Sequence, residues 1–388
     1  MKLKNKGRKI YKTKEKNYYG KSPLGKFFSA LLTVVLIGGI GFLGYSVAGP
    51  MINYSRKQGD EEPEETTPAE ETTTGIPAEN TVNPATEEIP VAEVYKGVRL
   101  NEYEIMTTEA IETAIGRVPQ NIEYIEIPLK LADGRIMYDT GYEDFPELNK
   151  AGLTLSEITR TVKKNGYTPV ACLSVFADNI IPAEYPQYSY MDTENLTAWR
   201  DADYHMWGSP FSEDYVRYIN FIADEISGAG FKKIICSDIK FPDFSDMDLS
   251  LLDDRRLEDF NRYTALNDTA DMLFDTINAN KSGMIIEVNA SEILRGKAEI
   301  LNKSVKADTI VIGINLDEIS SGVNTGSTVY EFIGTATENI TKMLNLIKDD
   351  ISGFNIIVRI TGTSHNTSDL LRAIDDIAGM GYTSFIIG

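Results

Sequence analysis

Histidine, cysteine and tryptophan are scarce in this sequence, with two of each. Two cysteines, Cys172 and Cys236, make neither a disulfide framework nor a four-ligand zinc site. Each lies in an apolar, strand-like run, so both are expected to be buried free thiols. His205 and His365 leave little material for a histidine metal site or a Ser-His-Asp triad. No G-x-S-x-G nucleophile elbow occurs. From Val94 onward neither G-x-G-x-x-G nor G-x-x-x-x-G-K-[ST] is found, which removes the usual phosphate cradles. Positive charge is also short there, at 26 Lys/Arg against 46 Asp/Glu. A nucleic-acid partner needs phosphate-neutralising bases and is not expected. No metal or organic cofactor is expected.

What the sequence does have falls into three zones before any site is considered. Residues 1–26 carry ten Lys/Arg and one acid. Phe27–Ile52 follows as 26 residues without a charge. That is longer than the roughly 20 residues a membrane span needs. The basic flank predicts a cytoplasmic N-terminus and an extracellular C-terminal part. The apolar run is long for a signal-peptide core, so an uncleaved anchor is expected rather than cleavage near Ala48. Residues 53–93 form a linker in which Asp60–Glu93 holds eleven acids and no base, five prolines and seven threonines. Such a stretch cannot bury enough apolar surface to offset its chain entropy, and disorder is expected. A basic tail, an anchor and a Thr/Pro/Glu stalk suggest a surface protein of a Gram-positive bacterium.

From Val94 to Gly388 short Ile/Val-rich runs alternate with amphipathic stretches of helix length. Strands are predicted at 95–102, 122–131, 168–176, 231–239, 283–290, 308–316, 354–361 and 382–388. The clearest helix is Glu213–Ala229, where Tyr215, Tyr218, Ile219, Ile222, Ala223, Ile226 and Ala229 share one face. Ser212 can cap its start, and Gly228 and Gly230 can close its end. A second helix is expected in "DLLRAIDDIAGMG", before the final strand. Eight strands alternating with helices predict a (β/α)8 TIM barrel over 94–388. The last strand reaches residue 388, so the eighth helix is expected to be absent or replaced. A doubly wound open sheet is the competing fold.

In such a barrel the chemistry sits at the C-terminal ends of the strands. Those ends offer Glu126, Asp238, Glu287 with Asn289, Asn315 with Asp317, and Arg359. Carboxylates dominate, and glycoside hydrolysis needs two of them, one as acid and one as nucleophile or base. Acids at strand ends are also common in any solvated barrel. Asp243, Asp246 and Asp248 lack the spacing of a calcium loop and read as a solvated acidic loop. The connection Phe176–Pro210 is much longer than usual and rich in aromatics. It includes Tyr185, Tyr188, Tyr190, Tyr204 and both tryptophans, Trp199 and Trp207. Trp207 could stack on a sugar ring or pack the loop onto the barrel rim, and packing is expected for most of the tyrosines.

Two further stretches carry a resemblance. "SVFADNIIPAEYPQYS" and "WRDADYHMWGSPFSEDYVRYINFIADEISGAGFKKIICSDIKFP" resemble the putative glycoside hydrolase domain family of exported bacterial proteins, which has a TIM-barrel fold. The family's third strand ends in Phe-Lys-Asp, matched here by Phe176 and Asp178 around Ala177. Its Trp-x-x-Pro is matched by Trp207 and Pro210. Tyr218, Gly230–Phe231 and Phe241–Pro242 match as well. "IEYIEIPLKLADGRIMYDT" resembles its second strand, with Glu126 at the acidic position. The similarity covers about 120–242. It departs at the fourth strand, where the family's Asp falls on Ser237, its Tyr on Asp238 and its Arg on Lys240. The second strand has Pro128 where a Lys is usual. Adjacent strand residues face opposite ways, so Asp238 is expected to face away from the barrel axis unless a bulge or shifted register turns it back.

Together with the anchor and linker, the resemblance implies an extracytoplasmic, membrane-anchored glycoside hydrolase acting on a cell-envelope or other polysaccharide. Asp238 is the first-choice acid, with Glu126, Glu287 or Asp317 as partner. Trp207 and Asp178 are expected to line the sugar site, and Lys240 and Arg359 to orient acids or bind anionic groups. The alternative is an inactive barrel that binds glycan or scaffolds partners at the cell surface.

Overall fold

The computed structural model describes residues 94–388, apart from 145–151, 260, 302–304 and 363–366. The predicted tail, anchor and linker lie outside the described residues. Among the described residues no helix is long and apolar enough to cross a membrane.

Eight parallel strands close into a barrel, as the alternation of strand and helix predicts. They are β1 (Lys96–Arg99), β2 (Tyr124–Lys130), β3 (Thr168–Ser174), β4 (Lys233–Ser237), β5 (Gly283–Asn289), β6 (Thr309–Asn315), β9 (Asn355–Thr361) and β10 (Phe385–Ile387). A two-stranded hairpin, β7 (Val323–Asn324) and β8 (Val329–Tyr330), interrupts the connection after β6. Its strands are too short to leave a periodic trace in the sequence. The final barrel strand pairs with the first, with Gly97 opposite Ile386, so the sheet has no free edge and the open-sheet alternative is excluded.

The strands read as Ile/Val runs because both of their faces are buried. Tyr95, Val170, Ile235, Ile285, Val311, Ile357 and Ile386 fill the barrel interior. Their neighbours Ile125, Ile234, Ile286, Ile312 and Val358 face the helices. The helix Glu213–Gly228 buries the predicted face, Tyr215 to Ile226, in the core, and Ser212 caps its start. At its end Gly230 takes φ +86°. The helix Thr367–Ala378 precedes β10, as expected. After β5 the helix is only Ala290–Leu294. It holds the chain close to the rim and brings Glu292 to the barrel mouth.

Cys172 and Cys236 are both buried and unpaired. Cys172 faces the barrel interior and Cys236 the helix layer. They sit on neighbouring strands but on opposite faces, and so do not bridge.

Candidate active site

At the C-terminal mouth of the barrel lies a cleft of two lobes that share Asp238, Lys240, Glu292 and Lys297. The inner lobe, about 480 Å³, sits over the strand ends and is lined by Arg99, Glu287, Asn315 and Arg359 among others. The outer lobe, about 680 Å³, runs under the long β3–β4 connection and is lined by Asp133, Asp201, His205 and Trp207 among others.

Asp238 is the residue on which strand alternation fails. Ile235 faces the barrel interior and Cys236 the helices, so Ser237 faces inward and Asp238 would be expected to face out. The ladder ends at Ser237, which pairs with Ser174. Asp238 then takes φ +57°, in the left-handed region. This conformation costs an ordinary side chain roughly 1–2 kcal/mol and is best tolerated by Gly, Asn and Asp. The flip carries the carboxylate to the cleft beside Ser237, and both residues line the inner lobe. Ser174 Oγ donates to Asp238 Oδ2 at 2.6 Å and Ser237 Oγ to the same oxygen at 3.1 Å. The one-residue displacement in the sequence is thus compensated by the backbone, and the expectation that Asp238 faces away is corrected.

Glu287 also lines the inner lobe, beside Gly313. A Cβ at Gly313 would stand 3.6 Å from Glu287 Oε1, so the glycine leaves space next to this carboxylate. Arg359 Nε lies 3.1 Å from the same oxygen. The approach is off the N–H axis, and this nitrogen has no hydrogen bond. The contact is therefore an ion pair only.

Below this level Glu126 is wholly buried. Arg359 Nη2 donates to its Oε2 at 2.7 Å and Tyr95 Oη to its Oε1 at 3.0 Å. Burial pushes the Glu126 carboxyl above its ordinary value, against the lowering pull of Arg359 and then Arg99. Glu126 is not among the residues lining either lobe; it forms the floor. Its position in β2 explains this, because it lies four residues before the strand end and so one layer deeper than Glu287.

The other expected residues separate in the same way. Asp317 lies in the first turn of the helix Leu316–Ser320, which Asn315 caps, and lines neither lobe. Asp178 is fully buried, 3.2 Å from Lys130 Nζ. It accepts from the backbone of Ile180 and Ile181 at 2.8 and 2.9 Å, so it braces the start of the long loop. Lys130 follows a register shift in β2 between Pro128 and Lys130. It supplies a buried lysine two residues after the position where Pro128 replaces one. Trp207 is 7 % exposed. Its Nε1 donates to Asp201 at 2.9 Å, and Lys240 Nζ lies over its ring at 5.4 Å. It is a wall of the outer lobe more than an open platform. Trp199 is packed on Phe244 and donates to Asp248 at 2.9 Å.

Lys240 ion-pairs with Glu292. Burial works against its ammonium, but Glu292 and then Asp238 outweigh burial and hold its pKa above the ordinary value. Lys297 pairs with Asp243 at 2.6 Å. Arg99, Glu292 and Lys297 line the cleft but are absent from the sequence-based candidates. Arg99 had a usable signal, since it ends β1. Glu292 had none, because it sits on a helix and not at a strand end.

Residues 97–386 match the family described as putative glycosyl hydrolase domain. Among solved structures, the glycoside hydrolase domain of PgaB (BpsB) from Bordetella bronchiseptica is similar at 13 % identity, covering 76 % of this chain and 93 % of that one, with a TM-score of 0.55. The glycoside hydrolase domain of PelA from Pseudomonas aeruginosa, solved as a Glu-to-Ala variant, is similar at 12 % identity over 76 % of this chain and 94 % of that one, at TM-score 0.42. A hypothetical protein from Ruminiclostridium thermocellum has 17 % identity over 49 % of this chain and 96 % of its own, at TM-score 0.41. A comparison with curated protein sequences finds no match.

Proposed function

Because the chain belongs to the putative glycosyl hydrolase domain family, we propose that it cleaves glycosidic bonds in a polysaccharide with Asp238 and Glu287 as its working carboxylates. The observation that carries this is that Asp238, turned by its left-handed backbone, lines the same lobe as Glu287. Of the three partners considered for Asp238, Glu287 is favoured because Glu126 is sealed beneath the cleft and Asp317 lies off it.

The surroundings suggest the division of labour. Glu287 stands against the Arg359 cation, a placement that suits the nucleophile or base. Asp238 is held by two hydroxyls, and a hydroxyl both donates and accepts. It can therefore serve either protonation state, as suits an acid that gives up a proton and takes one back.

In the same proposal Phe27–Ile52 anchors the chain in the cell membrane and 53–93 tethers the barrel outside. The substrate is then a cell-envelope or other extracellular glycan. Support comes from the uncharged 26-residue run behind a basic tail.

The test is release of reducing ends from a panel of wall and exopolysaccharides by the full-length chain, wild type against Asp238→Asn. A loss of about 10²–10⁴ is expected. Unchanged turnover removes Asp238 from the mechanism. A second reading, glycan binding without turnover, is favoured by one observation: a serine, Ser237, stands where the family has its fourth-strand acid. Saturable binding with no reducing ends from any glycan selects it.

A further inference from the structure

The inner lobe holds several hydrogen-bond donors for which the described residues supply no acceptor. Three of its four cationic side chains are engaged: Arg359 with Glu126 and Glu287, Lys240 with Glu292, and Lys297 with Asp243. Arg99 is different. It lines the lobe from the end of β1, and among the described residues its guanidinium makes no hydrogen bond or ion pair. Its stem is nevertheless held. A Cβ built at Gly388 would lie 3.5 Å from Arg99 Cβ and 3.4 Å from Thr361 Cγ2, so Arg99, Thr361 and Gly388 pack together at the β1–β10–β9 rim.

Two asparagines in the same lobe add to the surplus. Asn101 Oδ1 accepts from the backbone of Tyr103 and Glu104, capping the turn Glu102–Ile105. Asn315 Oδ1 accepts from Asp317 and Glu318, capping Leu316–Ser320. The caps fix which end of each amide is the oxygen. They leave the NH2 groups of Asn101 and Asn315, both lobe-lining residues, as the ends available to a ligand. A lone guanidinium and two free amide donors match a ligand group that offers only acceptors.

Long-range charge opposes an anion here, since the chain carries a net −20, so any anion must be held by the local donor cluster. Glu126 feels the Arg99 charge, but its hydrogen bonds come from Arg359 and Tyr95, and Glu287 ion-pairs with Arg359. Arg99 is left with its fork of donors to spare. An arginine fork pairs with carboxylate and phosphate oxygens in two-point fashion.

We propose that the inner lobe is an anion subsite, in which Arg99, helped by Asn101 and Asn315, binds the carboxylate or phosphate substituent of an acidic glycan. This deepens the glycosidase reading by naming the substrate class, and rests on it only for the catalytic step. Binding can be tested without turnover. The full-length Asp238→Asn chain is titrated with a galacturonic acid oligomer, a glycerol-phosphate polymer and a neutral β-glucan oligomer, alongside the same protein carrying Arg99→Ala or Arg99→Lys. The expected result is that at least one anionic ligand binds tighter than the neutral one. Arg99→Ala should weaken that binding by at least about tenfold, Arg99→Lys by less, and neutral binding by under about twofold. Which anionic arm responds separates carboxylate from phosphate. The proposal is overturned if neutral and anionic oligomers bind alike, if Arg99→Ala weakens both equally, or if neither anionic ligand binds. Hydrolysis confined to neutral glycans would overturn it while leaving the glycosidase reading intact. Arg99-dependent binding with no turnover of the wild type would do the reverse.

Discussion

Ser174 Oγ reaches across from β3 and donates to Asp238 Oδ2 at 2.6 Å, so the carboxylate that the backbone turns into the cleft is held there by the neighbouring strand. Two forces shape this residue, a backbone conformation that costs energy and hydrogen bonds that offset it. They separate under mutation. Asp238→Asn keeps a residue that tolerates the left-handed region and should stay within about 1 kcal/mol of wild type. Asp238→Ala keeps the strain, loses both serine bonds and should be less stable by roughly 1–3 kcal/mol. Both should lose turnover to a similar extent. Thermal melts with parallel activity assays compare the two variants, and equal melting temperatures would show that neither the strain nor the serine bonds contribute.

Arg359→Met should expose what the barrel floor depends on. It leaves Glu126 buried without its ion pair, which should cost about 3–5 kcal/mol. Burial already raises the Glu126 carboxyl above its ordinary 4.5, with Arg359 as the largest opposing influence. Without the arginine the rise grows. A carboxyl whose folded pKa is raised gains a proton on folding. Its contribution is complete at pH below the unfolded pKa and is lost as pH climbs through the folded one. The deficit of the variant should therefore be large near about pH 7 and shrink toward about pH 4, and Glu126→Gln should restore much of it. Urea titrations of the single and double variants at both pH values test this. A deficit independent of pH would mean that the pair is not held together by charge.

Gly208→Ala should disrupt the loop that carries Trp207. A Cβ at Gly208 would lie 2.1–2.4 Å from three ring carbons of Tyr215, which is fully buried and donates to Val175 O at 2.9 Å. Nothing there can yield cheaply, so a loss at or above the usual 1–3 kcal/mol of overpacking, about 3 kcal/mol, is expected. A circular-dichroism melt measures it, and a melting temperature equal to that of wild type would mean that the loop packs differently.

The two thiols should be silent in the folded protein. Burial, followed by the Glu126 charge, pushes the Cys172 thiol up to about 12, and burial raises Cys236 further. Little thiolate forms near about pH 8, and reaction must wait for opening. A thiol reagent should count no fast cysteine before denaturant is added and two afterwards. One fast thiol in the native protein would contradict the burial of its site.

The eight barrel strands are legible in the sequence because parallel strands covered on both faces appear as Ile/Val runs between amphipathic stretches. Their ends are less so: 95–102 is expected where β1 is Lys96–Arg99, since buried Tyr95 and Leu100 flank the ladder without joining it. Candidate acids are legible as types but not as depths. Glu126 and Glu287 look alike in sequence, yet one lies mid-strand in the floor and the other near the mouth. Strand alternation points to the wrong face for Asp238, because the face depends on φ at one residue. Asp178 shows a similar limit: a carboxylate after a strand can serve a sugar or its own loop, and here the following amides and Lys130 take it. The family match covers 97–386, beyond the stretch in which the resemblance can be read residue by residue.

The two lobes that meet at Asp238 are chemically unequal. One offers unspent donors at Arg99, Asn101 and Asn315. The other is walled by Asp133, Asp201, Asp203 and Trp207. A linear polymer has a head and a tail, and laying it across Asp238 one way round or the other brings different groups to each side. For the proposed glycan substrate this asymmetry would favour one orientation before any bond is broken, so that the walls and not the carboxylates would set the polarity of the bound chain.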